Sequence, residues 1–212
     1  MIKVVGFYTK DTVYEEEAKK LVKTLDKFSI PYYLYPIENE GKWVLNCAQK
    51  PIILRQALDD FIDDILYLDV DARVVRRPEF EQLDMSSPGY CVWSNPYTKN
   101  PGELASGTIY FPNNKISRAV LDDWISMQEK YPKMWDQRVL ETIYKKYPYS
   151  LLHHDWINIQ QDNGTIVKGK ITKFIETENP IILHTQASRT SKKKICQEKK
   201  PQKNALSAET HT

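Results

Sequence analysis

Ile65-Leu66-Tyr67-Leu68-Asp69-Val70-Asp71 is a short, continuously apolar run that ends in two carboxylates one residue apart. Such a run is typical of a strand that is buried on both faces of an α/β sheet. Ligands of these sheets collect at the carboxyl ends of the strands, where Asp69 and Asp71 lie. Two neighbouring carboxylates repel each other unless they share a cation, and hard divalent ions take oxygen ligands. The segment therefore predicts a metal site that receives a phosphorylated ligand.

The same Asp-x-Asp pair, which occurs once in the chain, has two other interpretations. It could be a solvated turn at a strand end, where acidic residues are common. It could also belong to a phosphatase of the haloacid-dehalogenase type, in which the first aspartate, here Asp69, is the nucleophile. That pattern has Thr or Val two residues after the second aspartate, where this chain has Arg73, and its strand lies near the amino terminus. We therefore favour the metal site.

The length and composition of the chain suit one globular domain with a tail. Of its 212 residues, 41% are hydrophobic and 11% aromatic, which is enough apolar material for a sizeable core. A formal net charge of +2 gives no electrostatic indication of a nucleic-acid partner. No apolar run is long enough for a transmembrane segment, the first residues resemble a strand rather than a signal peptide, and three cysteines lack metal-ligand spacing. We therefore expect a cytoplasmic protein that does not bind nucleic acid.

The spacing of the apolar residues predicts alternating strands and helices. Residues 4–8 and 32–35 have strand character, and an amphipathic helix between them starts at Thr12, with Glu15 completing a capping box. A strand, a helix and a second strand form a crossover unit, which favours a largely parallel sheet. Further helices are predicted at 48–61, 116–131 and 135–147, and further strands at 65–68, 89–93, 107–111 and 181–183.

The composition changes near the carboxyl end of the chain. Beyond Arg189 lysines alternate with polar residues, and little after Ile195 could be buried. We therefore predict one domain over residues 1–195 and a disordered basic tail or linker over residues 196–212. Further domains could follow this tail.

Six separated segments give the chain a resemblance to a known family. In chain order these are Phe7-Tyr8-Thr9 with Tyr14, Lys50-Pro51 with Arg55, Leu66-Tyr67-Leu68-Asp69-Val70-Asp71, Ala105-Ser106-Gly107-Thr108-Ile109, Trp135-Asp136-Gln137-Arg138-Val139-Leu140, and His184. In this order and spacing they resemble the metal-dependent nucleotide-sugar glycosyltransferases of the GT-A fold, with glycogenin-like enzymes the nearest pattern. The short glycosyltransferases of large algal DNA viruses resemble the chain as well.

The resemblance implies a single α/β domain of the GT-A type, with a Rossmann-like, mostly parallel central sheet flanked by helices. It also implies that a hexosyl or deoxyhexosyl group moves from a UDP-sugar to a hydroxyl acceptor, on a glycan or a protein-linked glycan. Asp69, Asp71 and His184 would bind the metal, and two carboxylates with one imidazole suit Mn²⁺ and tolerate Mg²⁺. If the protein is viral, we expect it in the host cytoplasm.

The matching segments also imply roles for other residues. Asp136 and Gln137 are the candidate catalytic residues: Asp136 would be the base in an inverting reaction, and both would position the donor sugar in a retaining one. Contacts to the nucleotide or the donor are expected from Tyr8, Thr9, Tyr14, Lys50, Arg55, Asp69, Val70, Ser106, Gly107, Arg189 and Lys192. Each residue also has a purely structural alternative; Asp136, for example, could cap the helix that follows it.

Two departures from the family pattern limit what the resemblance implies. Ala105 stands where the family has asparagine. The family also has a glycine and a lysine after the histidine, but not at the offsets found here, and Arg189 and Lys192 are the candidates for their roles. The identity of the donor sugar is therefore not carried over. A non-catalytic nucleotide-binding module is a further hypothesis, although simple binding would not need both the Asp-x-Asp pair and the Asp136-Gln137 segment.

Overall fold

The computed structural model describes residues 1–93, 103–159, 179–185 and 187 of the chain. The helices and strands in these residues are β1 (Ile2–Thr9), α1 (Val13–Lys27), β2 (Tyr32–Ile37), α2 (Trp43–Ala48), α3 (Lys50–Asp60), β3 (Asp64–Leu68), β4 (Ala72–Val74), β5 (Gly89–Trp93), β6 (Glu103–Phe111), α4 (Lys115–Lys130), α5 (Asp136–Ile143), β7 (Ser150–Leu151), β8 (Asn158–Ile159) and β9 (Ile182–His184). The predicted tail over residues 196–212 lies outside the described residues. No helix in the described ranges has both the length and the apolar character needed to cross a membrane.

A six-stranded sheet in the order β2-β1-β3-β6-β5-β7 forms the centre of the fold. Strand β1 is parallel to β2 and β3, β5 is parallel to β7, and β6 is antiparallel to both of its neighbours. Five strands therefore share one direction, which confirms the predicted α/β fold with a mostly parallel sheet. Because β6 runs the other way, its amino-terminal half continues past the carboxyl end of β3, where Leu68 pairs with Thr108.

Two hydrophobic clusters cover the two faces of this sheet. One contains Val4, Leu66 and Leu68 together with α1, and the other contains Val5, Ile65 and Tyr67 together with helices α3, α4 and α5. Alternate residues of β1 and β3 thus point to opposite faces, and both faces are covered. The apolar run before Asp69 is buried on both sides, as its sequence predicts.

A smaller sheet, in the order β4-β9-β8, lies beside the central one. Strand β4 is antiparallel to β9, and their register places Ala72 opposite His184. This pairing brings the carboxyl-terminal part of the chain directly to the segment that follows β3. The sequence did not predict β4 or β8, because strands of two or three residues are too short to show an alternating pattern.

The helix boundaries differ from the predictions in ways that have local causes. Thr12 caps α1 by accepting a hydrogen bond from the Tyr14 N–H, but the Glu15 carboxylate accepts one from the Asp11 N–H and so completes the cap one residue earlier than predicted. Helix α2 was missed, since it has only six residues and no side-chain cap. Helix α5 is shorter than predicted, because the helix after Ile143 tightens into a 3₁₀ turn.

Candidate functional site

Asp69, Asp71 and His184 meet at the carboxyl edge of the central sheet. Each side chain offers one ligand atom, and these atoms all lie within 4.8 Å of one another. Asp69 directly follows β3, Asp71 lies between β3 and β4, and His184 ends β9, which pairs with β4. The three residues are distant in sequence and are assembled by the two sheets. We call this group the acidic cluster.

The side chains of Asp71 and His184 are held in place by neighbouring groups. His184 Nδ1 lies 3.4 Å from Asp71 Oδ1, and Asp71 Oδ2 accepts a hydrogen bond from the Ala187 N–H at 3.0 Å. Burial by itself raises the pKa of Asp71, but the hydrogen bond and charge of His184 and the Ala187 N–H outweigh it and hold that pKa below its ordinary value. The carboxylate of Asp71 is therefore charged at neutral pH.

The other ring nitrogen of His184 has its own partner, since Nε2 lies 2.9 Å from Thr108 Oγ1. A metal ion bound at Nδ1 would require the tautomer in which Nε2–H donates a hydrogen bond to Thr108 Oγ1 and Nδ1 directs its lone pair toward the two carboxylates. Sequence reasoning did not single out Thr108. Its position in the segment after Ser106 and Gly107, on the strand beside β3, was the available signal.

Gly107 lies against the acidic cluster. A Cβ at this position would lie 2.9 Å from His184 Cε1, and 3.1 Å from both His184 Nδ1 and Asp69 Oδ2. A side chain would therefore occupy the space that the ligand atoms face. Two carboxylates, one oriented imidazole and a glycine that leaves room between them fit a divalent metal ion.

Lys50 lies at the centre of a second group of charges, and its side chain is only 4% exposed. Its Nζ is 2.7 Å from Asp136 Oδ2 and 3.2 Å from Asp69 Oδ1. It also lies 3.1 Å from both the carbonyl oxygen and the hydroxyl oxygen of Ser106. Burial lowers the pKa of Lys50, but the charges of Asp136 and Asp69 outweigh it and raise the pKa above its usual value. The charged ammonium thus links the acidic cluster to helix α5.

Asp136 and Gln137, the first two residues of α5, both contact strand β6. The Ser106 hydroxyl donates to Asp136 Oδ2 at 3.0 Å, and the Ser106 N–H donates to Gln137 Oε1 at 3.4 Å. The suggestion that Asp136 caps α5 is wrong, because Trp135 occupies the N-cap and Asp136 is already helical. The buried carboxylate of Asp136 instead pairs with Lys50.

Tyr67 is a further residue of the site that sequence reasoning missed. It is buried in strand β3, and its hydroxyl donates to Asp69 Oδ1 at 2.6 Å. Residues two apart in a strand point to the same face, so Tyr67 and Asp69 could have been paired from their spacing. Together with Lys50, this hydroxyl fixes the direction of the Asp69 carboxylate.

The predicted nucleotide-binding residues of the first crossover unit have different surroundings. Tyr14 is close enough to the acidic cluster for the charges of Asp71 and Asp69 to act on it; burial first, then these charges and Cys47, raise its pKa to about 12. Tyr8 packs against the core cluster on its face of the sheet. Thr9 is buried, and its hydroxyl lies 2.7 Å from that of Thr12.

The remaining predicted contact residues either have other surroundings or lie outside the described residues. The side chain of Val70 is buried in the core. The Arg55 guanidinium pairs with Asp122 at 2.9 Å and with Asp59 at 2.5 Å, which joins helix α3 to helix α4 rather than to the acidic cluster. Arg189 and Lys192 lie outside the described residues.

Comparison with known proteins gives a consistent result. Residues 60–197 match the nucleotide-diphospho-sugar transferase family. The fold is similar to the crystal structure of a glycosyltransferase involved in the glycosylation of the major capsid of PBCV-1, with 16% identity, a TM-score of 0.64, and coverage of 93% of this chain and 98% of that one. It is also similar to apo-form GlyE, a glycosyltransferase of Streptococcus pneumoniae TIGR4, with 17% identity, a TM-score of 0.52, and coverage of 73% of this chain and 46% of that one. No curated protein sequence matches the chain.

Proposed function

Since the chain belongs to the nucleotide-diphospho-sugar transferase family, we propose that it transfers a sugar from a UDP-linked donor to a hydroxyl acceptor with the help of a divalent cation. The observation that carries this proposal is the acidic cluster at the sheet edge, directly beside the buried contact between Lys50 and Asp136. The acidic cluster would bind the diphosphate through the cation, and the Lys50–Asp136 pair would lie at the donor sugar. Family membership does not support the phosphatase hypothesis.

Asp69, Asp71 and His184 would hold Mn²⁺, or Mg²⁺ in its place, with His184 binding through Nδ1. A bound cation would neutralise the negative charge that develops on the nucleoside diphosphate as the glycosidic bond breaks. Tyr67 and Lys50 orient the Asp69 carboxylate, and the Ala187 N–H orients that of Asp71. These partners keep the ligand atoms in place before the donor arrives.

The surroundings of Lys50 support a positioning role more than direct contact with a phosphate. An ammonium has three N–H donors, and Lys50 already faces Asp136, Asp69 and two oxygens of Ser106. Its charge would hold the two carboxylates at a fixed separation and offset their mutual repulsion. The distance between the cation and the donor sugar would depend on this arrangement.

Asp136 and Gln137 would orient the donor sugar. Because Asp136 Oδ2 is held by both Lys50 and Ser106, this carboxylate is fixed in direction and buried. That geometry supports positioning more than movement toward an acceptor as a base, so we expect transfer with retention of the anomeric configuration. Proton NMR of the product, read from its anomeric coupling constant, distinguishes retention from inversion.

The proposal is tested by measuring UDP release from a panel of UDP-sugars with and without Mn²⁺, using the wild type, Asp71→Ala and Glu129→Gln. Glu129 is an exposed acidic residue on α4 and serves as the matched control. We expect Mn²⁺-dependent release that is lost in Asp71→Ala and kept in Glu129→Gln. Undiminished release from Asp71→Ala would reject the metal assignment. Binding of UDP without any release would favour the non-catalytic module.

A further inference from the structure

Two tryptophans beside the site have exposed side chains. Trp43 is 42% exposed and Trp135 is 40% exposed, whereas Trp124 and Trp156 are buried in the core. Large aromatic side chains contribute most to stability when they are buried, so exposing two of them next to each other has a cost to folding. Neighbouring exposed aromatic residues commonly mark a binding surface.

The two indole rings form a corner. Their centroids are 6.0 Å apart and their planes are inclined at 84°, so one ring stands almost perpendicular to the other. This edge-to-face contact holds both rings while leaving ring surface open to solvent. We call this pair the tryptophan corner.

The surrounding residues fix the tryptophan corner next to the site. Trp135 occupies the N-cap position of α5 and directly precedes Asp136, the carboxylate that pairs with Lys50. Trp43 begins α2, and its indole is close enough to the Tyr14 hydroxyl to lower the pKa of Tyr14 against the larger effect of burial. Both rings therefore lie near residues that flank the acidic cluster.

The corner has the chemistry that a sugar ring requires. A pyranose carries apolar C–H groups on its faces and hydroxyl groups at its rim, so it packs on an aromatic ring while its hydroxyls bond to polar groups. The guanidinium of Arg138 lies 5.7 Å from the centroid of the Trp135 ring. Arg138 also pairs with Glu103 at 2.8 Å and with Glu141 at 2.6 Å, so the edge of this apolar platform carries a guanidinium and two carboxylates to which sugar hydroxyls could bond.

We propose that the tryptophan corner is the subsite that binds the acceptor, and that the acceptor is a carbohydrate. This inference rests on the proposed function, because it takes the sugar-transfer position to lie at Asp136. The donor diphosphate would be held at the acidic cluster, deeper in the sheet edge. The exposed ring surface of Trp135, which precedes Asp136 in the chain, would receive the acceptor so that its hydroxyl could approach the donor sugar.

The test measures carbohydrate binding separately from catalysis. Saturation-transfer-difference NMR titrations use methyl glycosides of glucose, galactose, mannose, xylose, fucose and rhamnose at millimolar concentrations, with and without UDP and Mn²⁺. The proteins are the wild type, Trp43→Ala, Trp135→Ala, Trp135→Phe and Tyr33→Ala. Tyr33 is an aromatic control on the strand β2, with 47% exposure. Calorimetry measures the UDP affinity of each variant.

We expect at least one glycoside to bind the wild type. Its affinity should fall about tenfold or more in each alanine variant, stay close to wild type in Tyr33→Ala and be largely kept in Trp135→Phe. UDP affinity should be unchanged in the Trp135 variants. The proposal is overturned if no glycoside in the panel binds, or if the alanine variants bind it as the wild type does. It is also overturned if Trp135→Ala weakens the binding of UDP instead of the binding of the glycoside, because the corner would then be a platform for the nucleobase.

This test distinguishes a failure of the acceptor subsite from a failure of the proposed function. A wild type that binds a glycoside but not UDP with Mn²⁺ would reject UDP-dependent transfer while keeping a carbohydrate site. A wild type that binds UDP with Mn²⁺ and none of the glycosides would reject the acceptor subsite alone.

Discussion

Thr108 carries no charge and lies outside the Asp-x-Asp pair, yet its hydroxyl is 2.9 Å from Nε2 of His184. The sequence pointed to the two aspartates because two neighbouring carboxylates at the end of a buried strand repel each other unless they share a cation. Thr108 and Tyr67 were missed because hydroxyl-bearing residues are ordinary in strands, so their positions beside the predicted ligands were the only signal. Lys50 was expected to contact the nucleotide or the donor, because its partner Asp136 is distant in sequence and only the fold brings the two together.

At the residue scale, Thr108→Val should weaken Mn²⁺ binding without unfolding the protein. Valine keeps the volume of the side chain but removes the acceptor that holds the His184 ring. Losing such an outer partner of a metal ligand typically costs about 10–100-fold in metal affinity. Calorimetric titration with Mn²⁺ in the presence of UDP measures the effect, and Thr108→Ser, which keeps the hydroxyl, is the control. Equal affinities in the valine and serine variants would contradict the role given to Thr108.

A second residue-scale prediction concerns the buried charge of Lys50. Lys50→Met should lower the free energy of unfolding by about 3–5 kcal/mol, because it leaves the buried carboxylate of Asp136 without its ammonium partner. Adding Asp136→Asn should recover part of this loss, since the orphaned charge is then removed. Urea denaturation of the two single variants and the double variant measures the coupling. Additive losses would show that the pair does not interact energetically.

At the element scale, the strands and helices with a clear pattern were predicted, but two short elements beside the site, β4 and α2, were not. Strands β1 and β3 were predicted from continuous apolar runs, which result from burial on both faces of a sheet, and α1 and α4 were predicted from the helical spacing of their apolar residues. Strand β4 has three residues and helix α2 has six, and elements this short show no periodic pattern of apolar residues in the sequence. Yet β4 brings in His184 through β9, and α2 carries Trp43.

The close passage of β6 along the acidic cluster gives a prediction for Gly107→Ala. The new Cβ would lie 2.9 Å from His184 Cε1, so the imidazole must move out of its present position. We expect loss of most of the Mn²⁺-dependent UDP binding, with a far-UV circular dichroism spectrum like that of the wild type. Gly89→Ala is the matched control, because its Cβ would lie 2.7 Å from Leu152 Cδ2, in the core. Gly89→Ala should lose stability and keep its metal affinity. A Gly107→Ala variant that keeps its metal affinity, or a Gly89→Ala variant that loses it, would refute this account of β6.

At the scale of the whole molecule, donor and cation should stabilise the fold together. Under the proposed function, they would bind residues contributed by two sheets and by α3 and α5, so their binding would oppose separation of these elements. A ligand at a hundred times its dissociation constant raises the free energy of unfolding by about 2.7 kcal/mol. Thermal denaturation with UDP and Mn²⁺ should therefore show a clear upward shift of Tm. UDP with excess chelator should give little shift, and an equal shift there would mean that the nucleotide binds without a metal.

The central claim is that the acidic cluster holds the cation that binds the donor diphosphate. Anomalous scattering, collected at the manganese absorption edge from a crystal grown with Mn²⁺ and UDP, tests it most directly. We predict one strong anomalous peak within bonding distance of Asp69, Asp71 and Nδ1 of His184, with the diphosphate oxygens of UDP completing its coordination. A crystal in which UDP is bound while these three side chains contact no anomalous scatterer would contradict the account.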